Sequence, residues 1–260
     1  MTKDAKEFLL IVACGLALIA CVSLIGGLVG FGGSVVGEDK FYEVEGEILS
    51  LEVEIGAADF RVEKGESFSV ESNLKRLTFR QSGNRLVLRE KNTLGNKNYN
   101  GAFLTIYIPE GTVFSEIDIT TGAGRFTADV LSAERLDLEF GAGEVNIGEI
   151  NASREADIEG GAGQITIGGG SLNNLSFEMG VGELSLTSSL RGNSELELGV
   201  GEARITLTGS RDDYTVELNK GIGDIRFDGE SLSTGKTMGI GQNKVEINGG
   251  IGSIFVEFKQ

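Results

Sequence analysis

Histidine is absent from the 260 residues, and with it go the commonest general base and the commonest zinc ligand. Cysteine occurs only as Cys14 and Cys21, both inside an apolar N-terminal segment. The rest of the chain therefore holds no disulfide framework and no thiolate metal site. Proline occurs once, at Pro109, and the 40 glycines follow no three-residue repeat, which excludes collagen. Positive charge is scarce: 23 Lys and Arg stand against 39 Asp and Glu, a net charge of −16. Phosphate backbones need clustered cations, so nucleic acid is not expected as the main partner. No cofactor and no catalytic residue is assigned.

What is present is glycine, alternating apolar residues and an uneven charge. Residues 60–101 carry nine basic side chains (Arg61, Lys64, Lys75, Arg76, Arg80, Arg85, Arg89, Lys91 and Lys97) against four acidic ones. From residue 102 onward there are 11 basic and 25 acidic residues, a balance of 11 − 25 = −14. The basic stretch reads either as the solvated surface of a small cap or as a face for anionic headgroups, wall polymers or the acidic part of a neighbouring molecule.

Residues 8–37 contain no charge, and the dense part, 8–31, would span roughly 36 Å as a helix. That is enough to cross the hydrocarbon core. Lys3 and Lys6 precede it, which places the N-terminus inside and the bulk of the chain outside. The expected organisation is a cytoplasmic tail 1–7, a transmembrane signal anchor 8–31, a linker 32–44, an N-terminal β cap 45–115 and glycine repeats 116–260. Leu18-Ile19-Ala20-Cys21 also reads as a lipobox, so a lipid anchor at Cys21 stays open beside the single span.

Self-similarity dominates the remainder. A Gly-X-Gly motif begins at Gly122, Gly141, Gly161, Gly180, Gly199, Gly221, Gly239 and Gly250, with spacings of 19, 20, 19, 19, 22, 18 and 11. Apolar residues alternate on both sides of it, as in LDLEF-GAG-EVNI and LSFEM-GVG-ELSL, which is the pattern of strands with one buried face. The phase slips by one residue at each motif, so a bend there must restore the inward face. The paired glycines Gly122 and Gly124, Gly141 and Gly143, Gly161 and Gly163, Gly180 and Gly182, Gly199 and Gly201, and Gly221 and Gly223 are accordingly read as structural corners. A repeat of about 19 residues is too short for a βαβ unit. It predicts an all-β parallel β-solenoid with an N-terminal β cap, preceded by one transmembrane helix. The X residues (Ala123, Ala142, Ala162, Val181, Val200, Ile222, Ile240, Ile251) are expected to form an internal column, and the final GSIFVEF strand to close the stack.

The strings LTIYIPEG and FSEIDITTGAGRFTADVLSAERLDLEFGAGEVNIGEI resemble a bacterial family of adhesin-type envelope proteins built from β-strand repeats. The resemblance covers about 45–258 and implies a solenoid on the cell surface, with links to envelope-stress regulation in some members. It carries over no catalytic residue.

Carboxylates recur two residues before the first glycine, at Glu139, Glu159, Glu178 and Glu197, and fall at outward positions. They read as a cation-binding ladder or as a solvated face that prevents aggregation. Neighbouring carboxylates about 4.8 Å apart repel by about 1 kcal/mol in water, which a fold tolerates without metal. The expected function is a non-catalytic envelope protein, an adhesin-like binding or structural module that meets wall polymer or an envelope protein. The alternative is a regulatory membrane protein that senses envelope stress through a partner.

Overall fold

In the computed structural model, residues 33–91 and 97–259 are described. The expected membrane segment at 8–31 lies outside them. Among the described residues no helix is long and apolar enough to cross a membrane.

The fold is all-β. Among the described residues sixteen strands follow in order: β1 Gly33–Ser34, β2 Val36–Glu43, β3 Ser50–Gly65, β4 Ser69–Leu74, β5 Leu77–Ser82, β6 Arg85–Glu90, β7 Lys97–Asn98, β8 Phe103–Pro109, β9 Phe114–Ile167, β10 Gly170–Asn173, β11 Leu175–Arg191, β12 Asn193–Thr208, β13 Tyr214–Phe227, β14 Glu230–Leu232, β15 Lys236–Gly239 and β16 Asn243–Lys259. One turn of 3₁₀ helix, Arg211–Asp213, precedes β13. Residues 36–43, expected as linker, instead form β2, which pairs antiparallel with β4.

Long strands pair in parallel and in register, so that each rung repeats the one beneath. Val181 faces Ala162 on one side and Val200 on the other, and the pairing continues from Val200 to Ile251. The 54-residue β9 supplies successive rungs by itself. Alternation puts Leu136, Leu138 and Phe140 inward before a corner and Val145 and Ile147 inward after it, all buried. The core is one continuous cluster of such residues, from Ile48 to Val256.

The glycine pairs do turn the chain. The second glycine of each corner has positive φ, from 120° at Gly124 to 147° at Gly201, a region open in practice only to glycine. A Cβ on Gly143 or Gly182 would also drive into the carbonyl oxygen of the equivalent glycine on the rung below. Close rung-to-rung approach and left-handed backbone thus make the same demand at the same residue.

Two expectations fail. The X residues do not point inward: Val200, Ile222 and Ile251 are 38%, 71% and 45% exposed. The corner is convex, and the inner angle is filled by flanking side chains such as Phe140 and Met179, which are buried. The second correction concerns the C-terminal strand, which does not close the stack. β16 inserts between β12 and β13, pairing in parallel with both. Gly239-Ile240-Gly241 is no corner, because Gly239 ends β15 and Ile240 is 98% exposed. That explains the anomalous spacing of 11 in the repeat.

Both open edges are covered, which keeps them from templating aggregation. At one end β13 carries β14 and β15 as short antiparallel partners. At the other, β3 is the first rung, in register with β9, and its outer edge divides. Residues 50–54 pair with β6 and 59–65 with β8. The antiparallel pairs β5–β6 and β4–β8 extend that end.

Candidate functional site

Three surfaces follow from this stacking: a ridge of corners, a long acidic face before the corners, and a basic face on β5–β6.

The corner ridge is lined by the X residues. Ala57 pairs with Ala123 at the first rung, and Ala162, Val181, Val200, Ile251 and Ile222 succeed one another at the other end. Two spaces beside it measure about 20 Å³ each, room for a single water.

At the first rung the corner is made differently. Ala58 stands in register with Gly124, and no continuous rung lies beyond it. The Gly56 backbone N–H therefore donates to the Glu90 carboxylate at 2.9 Å. Glu90, buried, also accepts from the Tyr99 hydroxyl at 3.1 Å, and Lys97 Nζ lies 3.9 Å away. Burial, followed by the charge of Glu90, holds the Tyr99 phenol far above its ordinary range. The sequence marks Glu90 only as one acid in a basic stretch; an acid next to the end of an apolar strand was the available signal.

The acidic face gathers the expected ladder. Glu159, Glu178 and Glu197 are paired on consecutive rungs. Glu139 lies close enough to Glu159 to raise its pKa. A second column four residues before the corners holds Asp118, Asp137 and Asp157, then Ser176, Glu195, Glu246 and Glu217. Burial first, and neighbouring carboxylates second, hold Asp118, Asp137 and Glu159 above the ordinary carboxylate range. Toward the C-terminal rungs the ladder gives way to amides, with Asn219 Nδ2 donating to Asn248 Oδ1 at 3.2 Å. Among the described residues no three acidic groups converge as a metal site.

The basic face begins where the acidic columns end. Glu52 pairs with Asp118 on one side and with Val87 of β6 on the other. It accepts from Arg85 Nη2 at 2.5 Å and Arg89 Nη2 at 2.6 Å, and Arg89 Nε reaches Glu54 at 2.7 Å. The Arg85 hydrogen bond is the main reason that the Glu52 carboxyl titrates below its ordinary value. Across the hairpin Thr78 faces Arg89, Arg80 faces Val87 and Ser82 faces Arg85. With Lys91 these side chains line an open depression of about 580 Å³. Of the basic residues in 60–101, the fold brings these four together; Arg61 and Lys64 pair with acids elsewhere, at Asp59 and Glu110.

An all-β, solenoid-like stack with glycine corners defines the class of the molecule. The chain belongs to the Toastrack DUF4097 family, which matches residues 48–250. Among solved structures, the chain is similar to a candidate cell adhesion protein from Clostridium sporogenes ATCC 15579, 15% identical with a TM-score of 0.39, covering 85% of this chain and 99% of that one. A candidate adhesin from Parabacteroides merdae ATCC 43184 is 13% identical with a TM-score of 0.40, over 87% of this chain and 99% of that one. A candidate lipid-binding protein from Parabacteroides distasonis ATCC 8503 is 14% identical with a TM-score of 0.44, over 88% and 100%. No curated protein matches the chain.

Proposed function

We propose that this chain is a non-catalytic binding or structural module of the bacterial cell envelope, a parallel β-solenoid held at the membrane by residues 8–31 and displayed outside the cytoplasm. The observation that carries the reading is the charge-sorted surface of the stack. Its long faces present regular ladders of carboxylates and hydroxyls, the form of a recognition surface more than of a reaction centre, which needs a few unlike groups converging in one cleft. The uncharged N-terminal run preceded by Lys3 and Lys6 supports the orientation. Protease added to intact cells stripped of their wall tests the display. External digestion of the β domain with retention of a short membrane-bound N-terminal fragment is expected. Full protection until the membrane is lysed would overturn it.

A further inference from the structure

The outward face of β5–β6 is opposite in sign to the carboxylate columns before the corners, and Arg85 and Arg89 on it are already held in place. Arg85 and Arg89 lie four residues apart on one face of β6, and both guanidinium groups reach the same Glu52 carboxylate, so their heads converge over it, with Arg80 between them on the paired strand. Glu52 holds both outer guanidinium groups from below, which reduces the rotamer freedom that a ligand would otherwise have to freeze. Arg80 and Lys91 have no ion-pair partner among the described residues. Four cations against Glu52 and Glu54 still leave a surplus of positive charge at the depression. The Thr78 and Ser82 hydroxyls and the Val87 side chain lie in the same grid, offering donors and a short apolar strip.

We infer that this face binds a linear phosphodiester polymer, laid along the β5–β6 hairpin, its phosphates met by Arg80 and Lys91 and by the guanidinium groups that Arg85 and Arg89 bring together over Glu52. Guanidinium forks match phosphate oxygens in bidentate geometry. The depression is open, which suits an extended chain. The carboxylate columns that begin at Asp118 repel the polymer from the rest of the stack, confining it to this end of the molecule. The inference rests on the reading of the chain as an envelope binding module and names its ligand class.

The test uses the full chain in detergent micelles, titrated with poly(glycerol phosphate) at two salt concentrations. Saturable binding that weakens with salt is expected. Arg80→Glu combined with Lys91→Glu should lower the affinity at least tenfold, while Arg204→Glu, on a distant rung, should leave it within twofold. Arg80→Gln with Lys91→Gln gives a smaller loss of about threefold and decides the matter should the reversed pair fail to fold. Absence of polymer binding, equal affinity in the reversed pair, or capture only by phosphatidylglycerol vesicles would overturn the proposal. Poly-L-glutamate binding as tightly as the phosphodiester would overturn the choice of phosphate. These measurements are made on purified protein, so their failure leaves display at the cell surface to be decided by the protease experiment.

Discussion

The corners inside the stack and the corner at its first rung solve the same problem with different chemistry. Inside, each corner is hemmed by another above and below, and Gly143 and Gly182 have neither room for a Cβ nor a backbone angle that tolerates one. At the first rung Ala58 replaces the second glycine without positive φ, and Glu90 supplies the acceptor for the Gly56 N–H in place of a further rung. Glycine is thus demanded by the neighbours of a corner and not by the turn alone.

The largest test of that contrast is Gly182→Ala. Left-handed strain and collision with the Gly163 carbonyl should cost at least about 3 kcal/mol, read as a loss of urea midpoint or of soluble expression. Glu90→Ala should follow, at about 2 kcal/mol, because it strands the Gly56 N–H and the Tyr99 hydroxyl together; Glu90→Gln should recover part of it. Ala58→Gly should cost only about 1 kcal/mol. A cost at Ala58→Gly equal to that at Gly182→Ala would remove the distinction between end and interior.

The acidic and basic faces give a weaker contrast, visible in pH. Asp118, Asp137 and Glu159 titrate above their ordinary values of 3.8 and 4.5, so in that window the native state binds more protons than the unfolded chain. Their contribution to stability rises as pH falls toward the window. Glu52, held low by Arg85, contributes stability present above its unfolded pKa and lost as pH falls through its lower folded value. The melting temperature should therefore rise as pH falls through the raised values of these carboxyls toward their ordinary ones, then decline in stronger acid as Glu52 takes up its proton. Asp137→Asn should flatten the rise.

The rungs were legible because period-two alternation and a Gly-X-Gly repeat are local signals, and they place Leu136, Phe140, Val145 and Ile147 correctly. The facing of the X residues was not legible. A phase slip tells that the chain bends but not on which side of the bend the middle side chain emerges, and Val200 emerges on the solvent side. Strand order was equally hidden, since β16 carries the same corner pattern as β12 and β13 and could sit beside either in sequence logic. The acidic ladder of Glu159, Glu178 and Glu197 follows from rung spacing alone. The basic face needed the hairpin, because the register that brings Arg80 between Arg85 and Arg89 is set by pairing across a turn.

The order of rungs is the claim on which the faces, the ridge and the edge protection depend, and engineered disulfides read it directly. With Cys14 and Cys21 changed to serine, Val200→Cys with Ile251→Cys places two thiols on adjacent paired rungs, about 4.8 Å apart at Cα. Val200→Cys with Ile222→Cys spans two rungs, about 9.6 Å, beyond disulfide reach. Mild oxidation should crosslink the first pair rapidly and leave the second reduced. Efficient crosslinking of residues 200 and 222, with none between 200 and 251, would mean that the rungs follow chain order and that the stack described above is wrong.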